Sequence, residues 1–299
     1  HALDFGPTAL AETVSRLQAG GIAVVGVGTD VEAANRPVIR EINGVSLAFL
    51  AFNMVPDPED RPQDTGWTAV ITGRGGRDQA MAAIVAVRDQ VDAVVVSVHW
   101  GYEYELRPDP SQRNTAQALL AAGADLVVGH HPHVVQGTEV RAGRFVAYSL
   151  GNFLFDQGQG ETGQGLALRA FFDESGLCAV QALPVQASTR AHLLGLDEAA
   201  PLLARIQPPA KRVGFVCDSR SARYDLSAAC HPVSVAQTPG TGLFYAGAID
   251  LTGDGVTEWV RRVGEQVIIF RDGKEVWRGP PEWRVLDLAL GDPNDDGRG

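Results

Sequence analysis

Cysteine is scarce in this 299-residue chain: Cys178, Cys217 and Cys230 are the whole complement. That excludes a disulfide-framework fold and a thiolate zinc site. A chain this long buries a full core without such cross-links, and one pair, Cys217 with Cys230, suits an oxidising compartment. Long apolar runs are missing too, since none reaches the roughly 18–20 residues of a membrane-spanning helix. Basic charge is in deficit, with 25 Lys and Arg against 36 Asp and Glu and a net charge of −11. This argues against general affinity for nucleic acid or for an anionic lipid surface, and favours cationic ligands, divalent metals included. Gly26-x-Gly28 lacks the third glycine of a dinucleotide fingerprint, and no serine sits in a nucleophile-elbow setting. The chain opens on His1 and ends in a polar glycine run. It is therefore expected to be a fragment cut at both ends, and the missing signal peptide carries no weight.

What is present is ordinary globular composition, 45% hydrophobic and 20% charged, ordered as alternating strand-like and helix-like segments. Helical spacing marks residues 8–19, 77–90 and 110–122. Buried strands are expected at 93–98 and 125–129, and further strands at 134–140, 144–150, 165–172 and 177–186. Asn43-Gly44 between two apolar runs predicts a hairpin, because both turn positions need positive φ. The strand–helix–strand order implies an α/β fold with mixed sheets covered by helices. Pro208-Pro209 marks a boundary, after which Gly, Asp, Trp and β-branched residues dominate.

The chemistry concentrates where strands end. Gly129-His130-His131-Pro132-His133 follows a buried strand. In an extended segment residues i and i+2 share a side, so His131 and His133 are expected to converge on one ion. His99 ends the neighbouring strand at the same edge, which is where ligands bind in open α/β sheets. Glu103, four residues on, is read as an acceptor orienting an imidazole, as an acid–base group, or as a solvated carboxylate. Trp100, Tyr102 and Tyr104 read as packing residues. Asn152 and Asp156, past a later strand, either reach the pocket or shape a turn.

Together, His1-Ala2-Leu3-Asp4-Phe5-Gly6, His99-Trp100-Gly101-Tyr102-Glu103-Tyr104, Gly129 to Gln136 and Tyr148 to Gln157 resemble the CapA (poly-γ-glutamate capsule synthesis) family, itself similar to the calcineurin-like metallophosphoesterases. The resemblance covers residues 1–190. It implies a four-layer α-β-β-α sandwich with a binuclear site for Mn, Fe or Zn in the full-length protein. His99, His131 and His133 match metal-binding positions. His1 and Asp4 match the motif that supplies the phosphate-facing histidine, and Glu103 joins them as a catalytic candidate. Asn152 and Asp156 are candidates for substrate binding. The family's earliest motifs would lie upstream of His1.

The tail carries an echo. Asp250, Thr252, Asp254 and Glu258 place oxygen side chains at intervals around Gly255. Asp292, Asn294 and Asp296 restart the pattern about 42 residues on, a spacing that suits one four-stranded propeller blade. Such a set fits Ca²⁺, or else a hydrogen-bonded turn. The tail resembles FG-GAP/VCBS-type repeats. The expected organisation is a CapA-like domain at 1–190, a helix and linker at 191–232, and a β repeat at 233–299. The expected function is that of an extracytoplasmic bacterial metal-dependent hydrolase, phosphoesterase-like or γ-glutamyl, serving a cell-surface polymer alongside membrane-bound synthesis partners. The competing expectation is a non-catalytic surface scaffold with a calcium-stiffened repeat, because fold does not determine function.

Overall fold

The computed structural model describes residues 2–55, 68–206, 214–217, 222–226, 246–249, 258–263, 266–271 and 274–278. The chain divides into two compact units, His1–Cys230 and His231–Gly299.

In the first unit, helix α1 (Gly6–Ala19) is entered through Pro7, whose fixed φ suits a first helical turn. The short α2 (Val31–Ala34) is capped by Asp30, whose side chain accepts from the Ala33 N–H. Strands β1 (Val38–Ile42) and β2 (Val45–Asn53) form the expected hairpin. At its turn Asn43 and Gly44 take φ of 51° and 83°. Helix α3 (Gly73–Arg88) leads to β3 (Ala93–His99), and α4 (Pro110–Ala122) leads to β4 (Leu126–His130). Strands β5 (Thr138–Arg141) and β6 (Arg144–Ala147) complete a six-stranded sheet in the order β1-β2-β3-β4-β6-β5. The β2, β3, β4 and β6 neighbours run parallel.

Helix α4 begins at a capping box in which Asp109 and Gln112 satisfy each other's backbone N–H groups. It buries Thr115, Ala116, Leu119 and Leu120 along one stripe, and α3 buries Ala80, Ile84 and Val87. Both stripes share a core with Val94, Val96, Val98 and Trp100 of the β3 segment. Each of the Val, Leu and Ile side chains among them contributes about 1.5–3 kcal/mol on leaving water.

A second sheet is antiparallel: β7 (Gln164–Asp173), β8 (Gly176–Gln186), β9 (His192–Leu193), β10 (Gly214–Cys217) and β11 (Ala222–Asp225), with α5 (Leu196–Arg205) between β9 and β10. Leu166, Val180 and Ala182 of this sheet share a core with Leu126 and Phe145 of the first sheet and Leu202 of α5. The unit is thus an α/β sandwich with one core between the helices and the mixed sheet and another between the two sheets. Cys178 is disulfide-bonded. The remaining cysteines are Cys217 and Cys230, so the Cys217–Cys230 pair that the sequence allows is not the one formed.

In the second unit β12 (Ala246–Ile249), β13 (Glu258–Val263), β14 (Gln266–Arg271) and β15 (Lys274–Arg278) form an antiparallel sheet in chain order.

Candidate functional site at the β3–β4 edge

Strands β3 and β4 end together, with His99 and His130 as register partners. Beyond β4 the chain is not extended. His131 and His133 take φ of 96° and 60°, so the two-residue alternation expected there does not apply. Left-handed backbone folds the segment over the strand ends instead. The His131 ring lies 4.5 Å from that of His99 and 6.3 Å from that of His133.

The three sequence motifs interlock through backbone bonds. The Trp100 N–H donates to the His130 carbonyl at 3.1 Å, the Tyr104 N–H to the Pro132 carbonyl at 2.8 Å, and the Leu150 N–H to the Gly129 carbonyl at 3.1 Å. The Trp100 indole donates to the Tyr148 carbonyl at 2.7 Å. Trp100 is fully buried, as a packing residue should be, but Tyr102 and Tyr104 are 68% and 53% exposed.

Tyr104 stacks on His133 with centroids 6.1 Å apart, and Phe155 approaches the same ring at 5.1 Å. His133 Nδ1 lies 2.8 Å from Asn152 Oδ1. His133 Nε2 faces Glu103 Oε1 at 3.9 Å. Electrostatically, burial is the main influence on the cluster. It pushes His99 down to about 4, with the neighbouring His131 adding to the effect. Burial also lowers His130, and it lowers His131 against the opposing pull of the Glu103 carboxylate. The neutral ring is the form that binds a metal.

Among the described residues no group of three or more His, Cys, Asp or Glu is arranged to hold a metal ion. The described donors thus amount to a close imidazole pair, His99 with His131, beside a third ring engaged by Asn152. His1 lies outside the described residues. Asp4 is exposed in the turn before α1, and Asp156 is exposed in the loop beyond Asn152. Asn152 is buried against His133, where it holds an imidazole. Of the tail residues, Glu258 opens β13, whereas Asp250, Thr252, Asp254, Asp292, Asn294 and Asp296 lie outside the described residues.

Sequence reasoning missed two parts of the site. Tyr104 and Phe155 both approach the His133 ring, and their sequence distance from it gave no sign of this. Gln112 and Gln136, 1% and 0% exposed, bond to each other at 2.9 Å. A cavity of about 590 Å³ bordered by Val31, Pro37, Ile39, Ala83 and Val87 contains none of these groups.

The fold and site define an α/β-sandwich protein with imidazoles gathered at the carboxyl ends of parallel strands. The chain belongs to the bacterial capsule synthesis protein PGA_cap family, whose model matches residues 1–157. A PGA biosynthesis protein CapA of Bacillus subtilis (strain 168) is 32% identical over 190 residues, covering 62% of this chain and 48% of that protein. A capsule biosynthesis protein CapA of Bacillus anthracis is 31% identical over 191 residues, covering 62% and 45%. A probable polyglutamine synthesis accessory protein of Mycobacterium tuberculosis (strain CDC 1551 / Oshkosh) is 30% identical over 164 residues, covering 52% and 43%. The chain spans a little under half the length of these curated relatives. Among the described residues no helix is long and apolar enough to cross a membrane.

Proposed function

We propose that this chain acts in the synthesis or processing of a bacterial cell-surface polymer as a metal-dependent hydrolase domain, with a γ-glutamyl amide or a phosphoester as its substrate class. The observation that carries the reading is the gathering of His99, His131 and His133 at one strand edge. The relatives' printed roles in PGA, capsule and polyglutamine synthesis support the polymer. The disulfide at Cys178 supports an extracytoplasmic site of action. The calcineurin-like, four-layer architecture belongs to the same proposal.

His99 and His131 would hold a divalent Mn, Fe or Zn ion, with groups outside the described residues completing its ligands. When bound, such an ion supplies Lewis acidity at the scissile centre. The chain's own residues do the rest. His133 takes or returns a proton at Nε2. Glu103 stabilises the resulting imidazolium across 3.9 Å. Tyr104 and Phe155 pack against the His133 ring and help to keep it in place. By resemblance, His1 would face the substrate's phosphoryl group, with Asp4 in the same motif. The test is metal analysis of the full chain with phosphodiesterase and γ-glutamyl hydrolase assays beside His131→Ala. Bound transition metal and turnover, both lost in the variant, are expected. A metal-free chain that is inactive with and without added Mn²⁺ or Zn²⁺ overturns the reading.

A second reading, a non-catalytic scaffold for polymer or membrane-bound synthesis partners, is favoured by β15. All five of its residues are exposed, Val276 and Trp277 at 56% and 40%. In this reading the 250–258 segment binds Ca²⁺ and stiffens an FG-GAP/VCBS-like repeat. Calcium titration by calorimetry, with Asp254→Ala as control, tests it, and the absence of calcium-dependent heat would sink it.

A further inference from the structure

The Asn152 side chain reaches two partners at once. Its Oδ1 stands 2.8 Å from His133 Nδ1, and its Nδ2 donates to the Thr162 carbonyl at 3.0 Å. A carbonyl oxygen only accepts, so the second bond dictates which end of the amide is which. Oδ1 therefore faces the imidazole. Since Oδ1 is itself only an acceptor, the proton of the neutral ring must sit on Nδ1.

The anchor is well founded. Thr162 lies in a 3-10 turn at Gly160–Gly163. Its hydroxyl reaches the carbonyls of Gln157 at 2.9 Å and Gln159 at 2.8 Å. The Gly163 N–H donates to Gln159 at 3.1 Å. Asn152 is 7% exposed, so water competes weakly for either bond.

We infer that Asn152 is a positioning residue that fixes His133 as its Nδ1–H tautomer and leaves the Nε2 lone pair facing the site. The inference rests on reading this edge as the reaction centre, and it deepens that reading. The tautomer leaves Nε2 with a free lone pair, so the group bound there must be a hydrogen-bond donor (a water, a hydroxyl or an amide N–H) or a metal cation that takes the pair. The side-chain amide orients the ring without being able to take its proton, as a carboxylate could. Glu103, at 3.9 Å from Nε2, is too far to hold a proton there by a direct hydrogen bond, which leaves room for that donor.

The test uses the full chain, metal-free, with ring-labelled histidine, read by nitrogen NMR at mildly alkaline pH. The His133 signals are assigned by their disappearance in His133→Gln. The expected result is a protonated-type shift at Nδ1 and an unprotonated-type shift at Nε2. In Asn152→Leu the Nε2 signal should swing toward the protonated range. In Asn152→Asp, which keeps an acceptor at Nδ1 and loses the Thr162 bond, the native pattern should persist. A merely structural Asn152 would not give this contrast. An Nε2–H tautomer in the native chain overturns the inference even if Asn152→Leu does not fold, and so does an unchanged pattern in a folded Asn152→Leu. Because the readout needs neither metal nor turnover, a chain that proves inactive but shows the expected tautomer refutes the hydrolase reading and leaves this one intact.

Discussion

Trp100 and Tyr148 meet directly above Gly129. The indole of Trp100 donates to the Tyr148 carbonyl at 2.7 Å, and the two rings stack with centroids 6.0 Å apart. A Cβ at position 129 would lie 2.0 Å from that carbonyl oxygen and 2.3 Å from the indole nitrogen. Both are rigid, buried atoms, so neither can give way. Gly129→Ala is therefore expected to cost at least about 3 kcal/mol, through overpacking plus a broken buried hydrogen bond. Urea denaturation measures it. A loss within about 0.5 kcal/mol, the ordinary range for a surface change, would show that the close approach is not needed.

Gln112 and Gln136 tie the loop that carries Glu103 and Tyr104 to the rest of the site. Gln112 Oε1 accepts from the Asp109 N–H at 3.0 Å, its amide donates to Gln136 at 2.9 Å, and the Gln136 amide donates to the Glu105 carbonyl at 2.8 Å. Either single change to Leu leaves a buried amide without its partner and should cost about 1–3 kcal/mol. The double variant should cost less than the sum, by about 1 kcal/mol. A double-mutant cycle in denaturant reads the coupling, and strict additivity would mean that the pair is incidental.

The outcome of the sequence reading follows from the range over which each signal acts. The β1–β2 hairpin was legible because Asn43-Gly44 encodes its own turn. Helix α4 was legible from the helical spacing over 110–122. The strand expected over 134–140 begins only at Thr138, because the left-handed residues His131 and His133 bend the chain first, and no local pattern announces positive φ at a histidine. The meeting of His99 with His131 followed from adjacent strand ends. The approach of Tyr104 and Phe155 to His133 did not, since it depends on loops that are positioned by tertiary bonds. Asn152 stood out in the sequence, but its partner at Thr162 could be found only in the folded chain.

Asp92 gives a pH dependence whose sign is determinate. Its carboxylate accepts from the Ser46 N–H at 2.6 Å and from the Ser46 hydroxyl at 2.7 Å. The backbone bond is the main cause, and the hydroxyl the next, of a pKa held below the usual 3.8. A carboxylate depressed on folding adds stability that is present above its unfolded value and lost as pH falls through the folded one. Native protein should therefore lose this clamp between the starts of β2 and β3 only below about pH 4. Asp92→Asn should remove that part of the acid dependence, and Ser46→Ala should shrink it. Denaturation midpoints compared at neutral and acid pH measure the slope, and identical slopes in all three proteins would refute the assignment.

His131 supplies a test of backbone strain separated from side-chain chemistry. Among the described residues, the non-glycine residues with positive φ are Asn43, Tyr104, His131, His133 and Ala142. Asn43 and Ala142 sit in hairpin turns, each followed by a glycine. The other three surround the histidine site, where such strain persists only if the surrounding structure over-determines it. His131→Ala and His131→Gly both delete the imidazole, but only glycine relieves a φ of 96°. The glycine variant should be the more stable of the two by about 1 kcal/mol, although glycine ordinarily loses more entropy on folding. Equal stability of the two variants would mean that the backbone at 131 is relaxed. A stability gap in glycine's favour would mean that the chain accepts a local cost to bring the His131 ring against His99.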